Sequence, residues 1–112
     1  MSEDERQRLG RAEARDVILR AAARVFNREG RGLTVEQIAR EAGYSTSALY
    51  KHFDNKTDII DSMRRRLSER LIEIFESEPP VELPFEGRLK WVLYQLVEFG
   101  EAERDLFQAS MK

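Results

Sequence analysis

Apolar residues recur three or four positions apart along most of this 112-residue chain, and no alternation of period two competes with them. That spacing lines one side of an α-helix, whereas a half-buried strand needs every second residue. The chain is therefore expected to be all-α. Ile18, Ala21, Ala22, Val25 and Phe26 form one stripe, on a helix predicted over Arg15 to Arg28. Val35, Ile38, Ala39 and Ala42 form a second, and Leu49 with Phe53 a short third. Ile59, Ile60, Met63, Leu67, Leu71, Ile74 and Phe75 continue as a long fourth. Phe85, Leu89, Val92, Leu93, Leu96 and Phe99 mark a fifth helix, predicted to stop at Gly100, and "EAERDLFQASMK" begins a sixth. Gly30 and Gly43 fall where helices end in the left-handed conformation, and Pro79-Pro80 closes the fourth pattern.

Composition removes several classes of protein. There is no cysteine, so disulfides and thiolate zinc sites are excluded, and a single histidine makes a histidine-based metal site a poor expectation. No 18-residue apolar run indicates a membrane span. The opening "MSEDERQRLGRAEARD" is polar and lacks the apolar core of a secretory signal, so a cytoplasmic protein is expected. Phosphate-cradling glycine loops are absent, and the carboxylates lie beside arginines on polar faces, so no enzyme and no cofactor are expected. The net charge of −2 argues weakly against a nucleic-acid partner. Its distribution argues the other way: residues 1–56 carry eleven Lys and Arg against nine Asp and Glu, while residues 57–112 carry eight against twelve. Local charge decides, because screening limits reach to about 8 Å at physiological salt.

The basic half contains "TVEQIAREAGYSTSALYKHF", two short helical patterns joined by one glycine turn. Thr34 is placed to cap the first, with Gln37 returning the bond, and Ser45 is placed to cap the second. Two short helices across a tight turn, braced by a preceding helix, describe a helix-turn-helix unit. Its second helix has inward Leu49 and Phe53, which leaves Thr46, Ser47 and Ala48 as a small outer face. Such a face suits a major groove about 12 Å wide. Tyr50 and Lys51 follow one turn later, within reach of phosphates or a base. Asn55 is placed to cap the next helix, with Asp58 at its third position.

The stretch "LTVEQIAREAGYSTSALYKHFDNKTDII", preceded by "AAARVFNREG", resembles the DNA-binding domain of TetR-type bacterial transcriptional repressors. The pattern is Thr34, Ile38-Ala39, Ala42-Gly43, Ser45, Leu49-Tyr50, His52-Phe53 and Lys56, and the match covers roughly residues 15–63. The resemblance implies a homeodomain-like three-helix domain, a long linking helix and the first helices of an α-helical ligand-binding domain. It implies that Thr34 meets a phosphate and that Ser45 belongs to the DNA-binding set. Thr46, Ser47 and Lys51 face the groove, Tyr50 and His52 meet backbone or a nearby base, and Lys56 meets a phosphate at the start of the fourth helix. Two positions depart from the family pattern. Tyr44 stands where a smaller aliphatic residue is common, and Ser47 where glycine is frequent.

The expected organisation is a flexible segment over 1–14, a helix-turn-helix domain over 15–56, a linking helix over 57–78 and the beginning of an effector-binding and dimerisation domain over 79–112. That last part is expected to be incomplete, because the family usually continues for several more helices. The resemblance implies a ligand-responsive repressor that binds a double-stranded operator as a homodimer, with a small-molecule effector and no membrane partner. A helical protein–protein interaction module without DNA binding is the alternative. Trp91, Tyr94, Phe99 and Phe107 either line an effector pocket or form ordinary core. Arg64, Arg65, Arg66 and Arg70 are expected to be solvated or paired with Asp61, Glu69 and Glu73.

Overall fold

A computed structural model describes residues 2–111 of the chain. Among the described residues six α-helices follow one another, with a short 3-10 helix at Gly30–Gly32 after the first: α1 (Glu3–Glu29), α2 (Val35–Ala42), α3 (Thr46–Tyr50), α4 (Lys56–Glu76), α5 (Phe85–Ala102) and α6 (Arg104–Ser110). No strand occurs among the described residues, so the all-α expectation holds.

α1 starts earlier than its apolar stripe. The segment expected to be flexible is helical from Glu3 onward. Local chemistry explains the difference. The Ser2 hydroxyl accepts a hydrogen bond from the Glu5 amide at 3.2 Å, and Glu3, Asp4 and Glu5 place negative charge in the first turn, where the helix dipole favours it. Among the described side chains Ala14 is the first buried one, and the opening turn has capping and charge of its own to hold it. At the other end Gly30 takes φ 69° and its amide returns to the Phe26 carbonyl.

The core lies where α1 meets the rest. Ile18, Ala22, Val25 and Phe26 of α1 pack with Leu33, Ile38 and Ala39, with Leu49 and Phe53, and with Ile59 and Met63. α1 touches α2, α4 and α6, so it runs through the middle of the molecule. Phe99, Leu106 and Ala109 close the same cluster from the far side. The small side chains Ala21, Ala22 and Ala23 are all buried and keep neighbouring helices close to α1.

α5 departs from its sequence reading. It runs through Gly100 to Ala102, because a glycine inside a helix costs only about 1 kcal/mol. Of its apolar stripe only Phe99 is buried, while Phe85 is 80 % exposed and Leu89, Leu93 and Val97 remain about half exposed. Its main packing partners are α4 and α6, and Phe99 carries it into the shared core.

The buried aromatic at the end of the α3 segment is the most sensitive test of this packing. Phe53→Ala should cost about 3–5 kcal/mol of unfolding free energy. Urea denaturation followed by circular dichroism measures it, and a loss below about 1 kcal/mol would contradict the packing described.

Candidate nucleic-acid interface

The turn between α2 and α3 is built from three local devices. Thr34 accepts from the Gln37 amide at 3.1 Å while its own amide donates to Gln37 Oε1 at 2.8 Å, a complete capping box. Gly43 then takes φ 76° and ψ 27°, the left-handed conformation that strains any residue with a Cβ. Its amide satisfies the Ala39 and Arg40 carbonyls. Ser45 caps α3 by accepting from the Ala48 amide at 3.1 Å. Both capping hydroxyls act as acceptors inside the protein, which leaves each O–H available to donate outward.

α3 itself is only five residues long, about 7.5 Å at 1.5 Å per residue. Helical bonding reaches beyond it: the Phe53 amide donates to the Leu49 carbonyl at 2.9 Å. That bond sets Leu49 and Phe53 on one face, and both are fully buried. With that face committed inward, the opposite side is forced out. Ser45, Ser47 and Lys51 are exposed, and Tyr50 is 54 % exposed. Thr46 and His52 are half-buried at the edges of the face. Thr34 is exposed at the start of α2. Seven of the eight residues singled out in the sequence thus line the outer rim of the α2–α3 unit.

Lys56 differs. Its Nζ donates to the Arg31 carbonyl at 3.1 Å and to the Leu33 carbonyl at 3.0 Å. The ammonium expected at a phosphate therefore ties the start of α4 to the loop ahead of α2, with its third N–H left over. The turn before it is equally constrained. Asn55 Oδ1 accepts from the Asp58 amide at 2.8 Å, and Asp58 Oδ2 accepts from the Asp54 amide at 2.8 Å.

Sequence reasoning passed over Arg15. Its Nη1 donates to the His52 carbonyl at 2.8 Å, and its guanidinium carbon lies 4.5 Å from the Phe53 ring centroid. A cation here meets the carbonyl end of the α3 segment, the end where positive charge is favourable. No periodicity signals this role, because Arg15 and His52 stand 37 residues apart. Arg24 and Arg28 similarly reach Glu41 of α2 at 3.5 and 3.4 Å. Of the arginine run on α4, Arg70 pairs with Glu73 at 3.1 Å as expected, whereas Arg66 leaves its own helix to pair with Asp16 of α1.

The four aromatics read as either pocket or core do not share one environment. Phe99 is core beneath the Arg70 guanidinium, Tyr94 and Phe107 are exposed, and Trp91 is half-buried. The apolar cleft of this half is lined instead by Phe75, Leu83, Phe85, Leu89 and Val92. Among the described residues no group of His, Asp and Glu is placed to hold a metal ion, and no helix is long and apolar enough to cross a membrane.

A short hydroxyl-bearing helix, held outward on a braced frame by a glycine turn, defines a helix-turn-helix unit. Residues 18–63 match the family model of bacterial regulatory proteins, tetR family. That segment spans the end of α1, α2, α3 and the start of α4, and it is what this chain shares with the TetR family. Among curated proteins it is similar to the nucleoid occlusion factor SlmA of Actinobacillus pleuropneumoniae serotype 5b, 28 % identical over 68 residues, covering 61 % of this chain and 34 % of that protein. SlmA of Escherichia coli K12/DH10B is 32 % identical over 69 residues, covering 62 % and 35 %. Among solved structures it is similar to a TetR-family transcriptional regulator from Haemophilus influenzae RD, with TM-score 0.73, 19 % identity, and coverage of 88 % of this chain and 55 % of that one. A putative TetR-family regulator from Vibrio parahaemolyticus gives TM-score 0.71 and 22 % identity, covering 88 % and 54 %. At such identities the structural likeness concerns the fold. The chain spans about a third of the length of the curated relatives it matches and about half that of the solved structures.

Lys56→Met should remove two charge-assisted bonds and cost about 1–3 kcal/mol of stability, against near-neutrality for a lysine serving DNA alone. Chemical denaturation without DNA distinguishes the two roles. Arg15→Ala should likewise lower stability by about 1–2 kcal/mol by freeing the end of the α3 segment.

Proposed function

We propose that this chain is the DNA-reading part of a transcriptional regulator, with α3 as the helix that enters the major groove. The observation that carries the reading is the outward face of α3: Tyr50 and Lys51 stand exposed beside Ser45 and Ser47, while Leu49 and Phe53 fix the opposite face inside. In this reading the Ser47 hydroxyl, the Tyr50 phenol and Lys51 approach base edges and nearby phosphates. Thr34 and Ser45 donate their hydroxyl protons to phosphate, which sets register. Thr46 and His52 contribute from the rim. Lys56 supports the interface chiefly by holding the α2 entry loop, with one N–H still free for a phosphate.

Ligand-responsive repression and homodimerisation belong to the same proposal. Two half-sites on a palindrome require two recognition helices, hence two protomers. A small effector bound among the later helices changes operator affinity only if it binds the non-operator state more tightly. The exposed apolar face of α5 favours a second reading, a helical module that holds another protein. That face lies on a different element from α3.

Binding of a labelled duplex at increasing salt separates the readings. Groove binding predicts affinity that falls as salt rises, with a log–log slope of about −0.9 per phosphate contact. Lys51→Ala and Tyr50→Ala should change which sequences are preferred, by about 1–3 kcal/mol per good contact. Absence of even nonspecific duplex binding at low salt would remove the DNA reading and leave the interaction module.

A further inference from the structure

Beyond the α3 face, the densest charge chemistry sits between α1, α4 and α6. Arg66 of α4 pairs with Asp16 of α1. Asp16 also accepts from Arg20 Nε at 3.3 Å, one turn along α1. Arg20 Nη2 in turn donates to Glu103 Oε1 at 2.9 Å. Four side chains of alternating sign therefore run unbroken from α4, across α1, to the joint between α5 and α6. Glu103 is the joint. It is both the last cap of α5 and the first of α6, and its φ of −116° and ψ of 46° interrupt the two helices. It is also 9 % exposed, one of the two buried polar or charged residues in the described core. Asn27 adds a second tie, donating to the Asp105 carbonyl at 2.9 Å.

We propose that the Arg66–Asp16–Arg20–Glu103 chain is a latch that fixes the helix-turn-helix head against the α5–α6 half, with Glu103 as its positioning residue. α4 is the sole main-chain connection between the two halves, and the apolar contact of Phe99, Leu106 and Ala109 with the α1 core joins them again without directional bonds to set their tilt. The ionic chain supplies that direction, because α1 carries the α2–α3 unit through Arg15 and through the Arg28–Glu41 pair and is held to the α5–α6 joint through Arg20. Release is a discrete event. A nearly buried carboxylate that loses its guanidinium keeps its desolvation without its partner, so the intermediate tilt is disfavoured and the latch is either closed or open. A lever for opening it lies next door. Phe99 and Ala102, immediately before Glu103, line a cleft with Arg70, Ile74, Gln95 and Glu98. The Glu103 amide donates to the Phe99 carbonyl at 2.8 Å. A molecule that displaces Phe99 from that cleft moves the backbone that carries the latch. The regulatory meaning of this device rests on the DNA reading above; the mechanical coupling does not.

The absence of cysteine allows a direct test with paired spin labels on the whole chain. One pair spans head and body, at Arg40→Cys on α2 and Val97→Cys on α5. A second pair lies within the head, at Arg40→Cys and Thr57→Cys. Glu103→Gln should broaden and shift the head-to-body distance distribution and leave the head-internal pair unchanged. Arg66→Gln, which cuts the chain at its other end, should do the same, and the double variant should go no further than either single one. Lys90→Gln breaks only the exposed pair with Glu86 inside α5 and should change nothing. An unaltered head-to-body distribution in Glu103→Gln, additive effects in the double variant, or equal broadening of both label pairs overturns the latch. The distances are read without DNA, so failure of duplex binding overturns the DNA reading separately.

Discussion

Burial of Leu49 and Phe53 is the interaction on which the rest of the molecule's surface depends. A five-residue helix has no stability of its own, since nucleation is unfavourable and so few bonds repay it. It exists because two apolar side chains four residues apart enter the α1 core, held in phase by the Phe53 amide on the Leu49 carbonyl. Each full burial is worth roughly 1.5–3 kcal/mol. Once those two positions are fixed inward, geometry leaves Ser47, Tyr50 and Lys51 no direction but out. The polarity of the outer face is thus a consequence of the inner one. The glycine at 43 and the cap at Ser45 set where the helix starts, but the core decides which side it shows.

α1 is the frame that makes this possible. It contributes apolar packing to the centre and charge to every side. Arg15 holds the end of the α3 segment, Arg24 and Arg28 hold α2, Asp16 holds α4 and Arg20 holds the α5–α6 joint. Partly exposed pairs of this kind contribute little stability individually, so their value lies in fixing orientation. Two cations of the basic half, Arg15 and Lys56, give part of their hydrogen-bonding capacity to backbone carbonyls. Their charge remains, but fewer of the N–H donors of residues 1–56 are left for a polyanion. Lys51, which has no such carbonyl partner among the described residues, matters correspondingly more.

Much of the fold is legible in the sequence because its signals are local. The Thr34–Gln37 box, the Gly43 turn, the Ser45 and Asn55 caps and the inward pair Leu49 and Phe53 all lie within a few residues of their causes. What was not legible is nonlocal or weakly patterned. The helical start at Glu3 lacks an apolar stripe and depends on a serine cap and three acidic residues. The carbonyl ties of Arg15 and Lys56 span 37 and about two dozen residues, and nothing in residue spacing announces them. The α5 stripe reads as core from its period alone, yet periodicity states which side is apolar and not what covers it. The Arg66–Asp16 pair was hidden for a related reason: i,i+3 and i,i+4 partners on the same helix are visible in sequence, and partners on another helix are not.

The central claim is that the outward face of α3 meets a duplex. Amide chemical-shift mapping during titration with duplex DNA tests it without presuming an operator. Shifts concentrated at Thr34 and over Ser45 to His52, with α5 left quiet, are the predicted result. Saturable shifts confined to the exposed apolar residues of α5, with α3 unmoved, would contradict it.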